Sequence, residues 1–430
     1  MTTSPALTLS HREARAVMLA AQGLLDEPNG TIGHRVALET VERLGAVQLD
    51  AINVVARTQY LVLWSRLGVH ERSLLDELLC PERSTFEYWS HAASIVPMAD
   101  YRYYRPRMLD AERQLWVGLR RWMEEHPHVL ESTLATVRER GPMTSAEFER
   151  PPDARRAHAW DWYGPKASRR ALEVLWTTGD LMVHSRRSGQ KVYDVRERVL
   201  AEALKAVPTD GDLPGPEEQL RYFVSRTVRA LGVTTLGWLP DYFRLPAPKG
   251  GPARRTLVSR LMADLVSEGL VVPARVEGLK EPAYLAVDRL PDLERLRHGY
   301  EPQRTTLISP FDSLIWDRAR AHDLFDYEVA FEAYVVPERR RYGYYCLAVL
   351  HRGQLVGRVD PKLDRQEGRL HVRSVYLQPG VEPDAALVAG LATALQSLAT
   401  FLGAPTVSVE RSEPEVVVPR LRDHLEGVGV

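Results

Sequence analysis

Apolar positions recur at helical spacing from the start of the chain. Ser10 stands where a helix cap belongs, and Glu13 three residues on completes a capping-box signature. Behind them Val17, Met18, Ala21, Leu24 and Leu25 form one stripe. A turn at Pro28-Asn29-Gly30 separates this helix from a second, opened by Thr31. That helix carries Val36, Leu38, Val41 and Leu44 and is closed by Gly45. A short extended stretch, AVQLDAI, leads to a third helix from Val54 to Leu67, stopped at Gly68. Three short helices in this order suit a helix-turn-helix module.

A pattern then repeats. Gly141-Pro142-Met143-Thr144 opens one copy and Gly232-Val233-Thr234-Thr235 another, about ninety residues later. Each copy has a helical run ending in glycine, KASRRALEVLWTTG to Gly179 and ARRTLVSRLMADLVSEG to Gly269. Each run is followed by apolar strands around a glycine turn, LMVHSRRSGQKVYDV and LVVPARVEGLKEPAYLAV. Helices followed by a two-stranded wing form the winged-helix pattern. Residues 207–218, rich in Pro, Gly and Asp, read as a linker. Beyond residue 300 the segments DYEVAFEAYVV and RYGYYCLAVLHRGQLVGRVDPKL predict strands and hairpins. A long helix over 383–402, the strand TVSVERS and a final amphipathic helix follow. The expected class is α+β. Three winged-helix modules (1–135, 136–208 and 215–300) precede a β-rich, barrel-like domain (301–430).

Candidate chemistry begins at Val47-Gln48-Leu49-Asp50. In an extended chain residues two apart share a face, so Gln48 and Asp50 project together while Val47 and Leu49 turn inward. A carboxylate beside an amide can hold a water, take its proton and stabilise positive charge on a sugar. Any half-buried strand shows the same alternation. In Phe86-Glu87-Tyr88-Trp89-Ser90-His91-Ala92-Ala93-Ser94, the residues Tyr88, Trp89, His91 and Ser94 could meet a nucleobase by stacking and hydrogen bonding, or fill a core. His126 and His128 lack further ligands at metal-binding spacing. Basic residues cluster at equivalent places in the repeats. Lys166, Arg169 and Arg170 open one helix; Arg186, Arg187 and Lys191 lie in its wing; Lys249, Arg254 and Arg255 open the other helix. Cations there would meet phosphates, and Arg57 would join them from the first module. Arg339-Arg340-Arg341 fits a hairpin turn equally well. The stretch Ser309 to Arg318, with Asp312, Trp316 and Asp317, suits a domain junction.

Composition tempers this picture. The 430 residues are 44% hydrophobic and 26% charged, with a net charge of −1, so a basic footprint for nucleic acid has to be local. Two cysteines, Cys80 and Cys346, fit a reducing cytosol and exclude a cysteine-rich zinc site. No secretion signal or membrane span is expected.

LGAVQLDAINVVARTQYLVLWSR, FEYWSHAAS, LISPFDSLIWDR and YGYYCLAVLHRGQLVGRVDPK together resemble the winged-helix DNA glycosylases of the YcaQ/AlkZ interstrand-crosslink-repair type, over almost the whole chain. The resemblance implies three winged-helix modules around a concave DNA channel and a C-terminal barrel-like domain. It implies a monofunctional glycosylase that hydrolyses the N-glycosidic bond of N7-alkylated purines in double-stranded DNA and unhooks crosslinks, without metal or organic cofactor. The family's catalytic motif is Gln, an apolar residue, then Gln or Asp, which maps onto Gln48, Leu49 and Asp50. Asp at the second polar position resembles the broader YcaQ-like branch. A cytoplasmic, nucleoid-associated monomer is expected. A non-enzymatic winged-helix regulator is the alternative; it would bind DNA without releasing bases.

Overall fold

The computed structural model describes residues 7–148, 167–204, 209–245 and 253–426. The chain divides into two compact units: one of Met1–Arg72, Ser90–Ala93 and Leu220–Val430, the other of Ser73–Trp89 and Ser94–Gln219. The architecture is mixed α+β with open sheets.

In the first unit, Ser10 caps helix His11–Ala21 through a complete capping box with Glu13, as the sequence predicts. The second helix begins at His34 instead of Thr31, with Gly33 as its cap. Its buried positions are Ala37, Thr40, Val41 and Leu44, so the predicted stripe holds at Val41 and Leu44, while Val36 and Leu38 are half-buried. The third helix, Thr58–Leu67, starts four residues later than Val54 and ends at Gly68. The Gly232 copy of the repeat supplies the strands Val233–Thr235, Val271–Val276 and Ala283–Ala286 and the helix Arg254–Ser267. The chain's own N-terminal strand, Leu7–Leu9, adds to that sheet in parallel with Val271–Val276.

The C-terminal part is a five-stranded sheet in the order Thr305–Ile308, Leu347–His351, Gln354–Asp364, Arg369–Leu377, Thr406–Glu413. The outer strands pair with no further strand among the described residues, so the sheet is open where a barrel was expected. Residues 326–335, expected as strand, form an irregular strap. Side-chain contacts replace a strand ladder there: the Tyr327 hydroxyl donates to Gly357 O, and the Glu332 carboxylate accepts three backbone N–H groups. Helix Ala385–Leu402, expected over 383–402, is long and apolar enough to cross a bilayer, and its Leu387, Leu391, Leu395 and Leu398 are packed in the core under this sheet. Val55, just before the third helix, and Leu61 and Trp64 within it join the same core.

In the second unit, the Gly141 copy forms the hairpin Leu181–Arg187 and Gln190–Val195, joined by Met143–Thr144. Helices Pro127–Arg140 and Ala167–Thr177 cover it through Val137, Leu172 and Leu175.

One buried ion pair ties the first unit together. Arg66 donates to both oxygens of Asp312, at 2.5 and 2.8 Å, with side chains 2% and 0% exposed. The guanidinium also reaches Gln22 O and Oε1, Val62 O and Ser65 Oγ. Leu314 N–H completes the carboxylate, and Ser313 Oγ and Ala230 O complete Gln22. Within this unit Asp312 joins the 309–316 segment to the third helix through Arg66. Removing one member of such a pair strands the other in the interior, which costs about 3–5 kcal/mol. Asp312→Ala should lower the unit's unfolding free energy by about that much in urea denaturation, whereas Arg66→Met with Asp312→Leu should lose much less.

Candidate functional site

Helix His34–Leu44 ends at Gly45, whose φ of +71° turns the chain sharply. A Cβ at this position would stand 2.8 Å from the Phe243 ring, so glycine alone fits. Val47 is buried and anchors the following extended pair, Val47–Gln48. Leu49 N–H donates to Ala93 O at 2.7 Å. Leu49 itself is half-buried, so the expected alternation stops there. Asp50 Oδ1 accepts Ile52 N–H at 2.7 Å, an Asx turn that bends the chain away. Among the described residues nothing hydrogen-bonds the Gln48 amide or the second oxygen of Asp50, which leaves both for a ligand.

Gln48 lines a cavity of about 230 Å³. One wall is His91 stacked on Trp316, with centroids 4.1 Å apart and planes at 1°. Another is Phe311 against Phe331, at 4.9 Å. Arg244 and Arg318 complete the rim. His91 Nδ1 donates to Asp241 O at 3.1 Å, which leaves Nε2 to accept from Arg244 at 3.2 Å. Arg244 is held in turn by Asp241 Oδ1 and His91 O. Burial, reinforced by the Arg244 cation, lowers the His91 pKa and keeps the ring neutral.

Asp50 does not line this cavity; its charge acts on Tyr345. The Tyr345 phenol is held protonated mainly by burial, with the negative charges of Asp50 and Asp312 adding to the effect. Its hydroxyl meets Ser309 Oγ at 3.0 Å, and Ser309 meets Thr58 Oγ1 at 2.6 Å. This buried trio ties the loop after Asp50 to the Pro310-Phe311 wall.

Only His91 of the four aromatic-segment candidates lines the cavity. Tyr88 is 1% exposed, with its hydroxyl committed to Thr177 O and its ring against Tyr104 and Trp176. Ser94 is fully buried, and Trp89 is half-buried against Trp176. Tyr88 and Ser94 are therefore core residues. Two wing cations are also internal. Arg186 is bidentate to buried Glu87 at 2.5 and 2.8 Å. The Lys191 ammonium sits 3.1 Å from the Trp176 ring centroid, where burial pushes its pKa down to about 8. Neither is presented to phosphates. Arg187 is exposed, 3.4 Å from Glu147. Arg169, Arg254 and Arg255 are exposed near the starts of their helices, and Arg170 and Arg57 are half-buried. Arg254 donates to Leu245 O and Arg255 pairs with Glu281. Lys166 and Lys249 lie outside the described residues.

Sequence reasoning gave no functional role to Arg244, Phe311, Trp316, Phe331 or Tyr345. The SPFDSLIWDR run was a usable signal for Phe311 and Trp316. Arg244 carried none, because only its contacts with distant His91 define it.

A family model described as DNA glycosylase AlkZ-like matches residues 41–401. Among solved structures, Streptomyces sahachiroi DNA glycosylase AlkZ is similar, with a TM-score of 0.62 at 16% identity over 94% of this chain and 100% of that one. At that identity the likeness is one of fold.

The neutral His91 has a measurable signature. Its pKa is lowered in the fold, so below roughly pH 6.5 the unfolded chain takes up a proton that the folded chain refuses. Its contribution to stability is complete above that pH and is lost as pH falls below it. His70, His184 and His351 act in the same direction. Urea midpoints at about pH 7 and about pH 5.5 should therefore differ less for His91→Gln than for the wild type; equal differences would show that His91 is not held neutral.

Proposed function

Because the chain belongs to the AlkZ-like DNA glycosylase family, and is therefore a DNA glycosylase acting in repair, we propose that it is a monofunctional enzyme for N7-alkylated purines, including those joined in interstrand crosslinks. The observation that carries this reading is the placement of Gln48 on a cavity, with Asp50 two residues on and one Asp50 carboxylate oxygen without a hydrogen bond from the described residues.

N7-alkylation makes the purine cationic and hence a good leaving group. Cleavage of the glycosidic bond returns its electron pair to the base and leaves an oxocarbenium-like sugar. Asp50 stabilises that charge and accepts a proton from the attacking water, while the Gln48 amide orients the water. The product is an abasic site. The cavity suits a cationic base: Trp316, Phe311 and Phe331 offer π faces, and the neutral His91 ring does not repel it. Arg244 and Arg318 at the rim suit phosphates.

We read the two repeat copies and the N-terminal helices as winged-helix modules, with the C-terminal sheet as a fourth domain. An open channel admits a base tethered to the opposite strand, which a closed flipping pocket would exclude. The partner is double-stranded DNA and the working form a cytoplasmic monomer. The Asp at position 50 fits a broad range of adducts.

Asp50→Asn and Gln48→Ala test this reading. On duplex DNA carrying N7-methylguanine or a nitrogen-mustard crosslink, Asp50→Asn should slow single-turnover base release by about 10²–10⁴-fold, with duplex affinity within a few-fold of wild type. Gln48→Ala should lose less. Wild-type protein that releases no base from either substrate would sink the proposal.

A further inference from the structure

A second cavity, of about 280 Å³, lies between the segment 337–344, which follows the strap, and the C-terminal sheet. Four guanidinium groups line it, from Arg340, Arg341, Arg373 and Arg411, with two carboxylates, Asp360 and Glu410. The carboxylates do not neutralise the set. Asp360 is buried, takes backbone N–H groups of Tyr344 and Tyr345, lies 3.8 Å from Arg373 and also feels the Arg340 charge at longer range. Glu410 faces His371 Nε2 at 3.2 Å. Arg340, Arg341 and Arg411 form no ion pair with any described residue. Like charges gathered around one small space are unfavourable unless an anion joins them.

Three local features build the place. Asp360 pairs with Ser374 and Pro361 with Val372, so Arg373 is the extra residue of a β-bulge, a device that re-aims a side chain. Gly343, at φ +152°, leaves the space that a Cβ would take from the Asp360 carboxyl. The Glu332 carboxylate accepts the N–H groups of Arg341, Tyr342 and Gly343 at 2.9, 2.8 and 3.1 Å, and Arg340 Nε donates to Val335 O at 2.8 Å. The segment is thus pre-organised without being a strand. Arg340 and Arg341 lie over Tyr344 and Tyr342, which fixes their planes and leaves N–H edges for a ligand.

We propose that this cavity holds a backbone phosphate of bound DNA; the inference rests on DNA being the substrate. A planar fork of N–H groups matches phosphate oxygens in pairs, which explains why every cation here is arginine. Phe331 lines the Gln48 cavity and its neighbour Glu332 clamps the arginine segment, so one short segment serves both the lesion and the strand beside it.

Fluorescence anisotropy with an undamaged duplex over a range of KCl concentrations tests the proposal. Each phosphate contact adds about 0.9 to the slope of log K against log salt. R373Q/R411Q should bind more weakly and show a slope shallower by about 1, while R373K/R411K should keep most of the wild-type slope. Exposed Arg411 supplies a gentler variant, R411Q, with about half that change should the double variant not fold. Coincident slopes for wild type and the glutamine variants overturn the proposal, as does a wild type that binds no undamaged duplex at low salt. Inorganic phosphate at matched ionic strength is the second arm. If it raises the melting temperature of wild type but not of R373Q/R411Q, while the DNA slopes coincide, the cavity is a free-anion site and the proposal fails. The duplex carries no lesion, so failure of base release would leave this outcome untouched.

Discussion

The site depends on a charge pair that has no access to water. Two ions removed from solvent are tolerable only when their hydrogen-bonding capacity is filled. Arg66 and Asp312 meet that condition through Gln22, Ser65, Val62 and Leu314. Those partners come from the first helix, the third helix and the 309–316 segment, and Gln22 adds Ala230 from a fourth element. The pair therefore sets distances among parts that flank the Gln48 cavity. The helix bearing Arg66 begins eight residues after Asp50, and the segment bearing Asp312 holds Phe311 and Trp316 against the cavity. An apolar pair would hold the pieces together with less directional control.

Several cations of this chain are committed to internal partners. With 56 basic and 57 acidic residues, an arginine's sequence position says little about whether it faces solvent. Arg186 satisfies Glu87, Arg304 caps four backbone carbonyls, and Lys191 lies on a tryptophan. Other cations are distinguished by geometry: exposure at a helix start for Arg169, a bulge for Arg373, a stacked ring for Arg341.

That division explains what the sequence made legible. Local rules located Ser10, Gly45, Gly68, Gly179 and Gly269 as element ends, because caps and left-handed turns are decided by a few neighbouring residues. The third helix started late because residues 51–57 are needed as a loop, with Asp50 turning the chain and Arg57 preceding the helix. Strand reading failed at 326–335, where Glu332 and Tyr327 replace ladder bonds with side-chain bonds. Gln48 and Asp50 could be singled out from a two-residue period. Their surroundings could not: Arg244, Trp316 and Tyr345 reach them through contacts far apart in the chain. Tyr88 and Ser94 had the residue types of a base-binding surface and the burial of a core, which composition cannot separate.

The Arg66–Asp312 pair also sets a clock. Its partners are 246 residues apart in the chain. A ribosome adding roughly 5–20 residues per second needs about 12–50 s between them. Throughout that interval the first three helices are exposed to the cell with a guanidinium that has no carboxylate and an apolar face that has no sheet. The first sixth of the chain must stay unaggregated, and the Gln48–Asp50 segment without its surroundings, until the segment bearing Asp312 emerges.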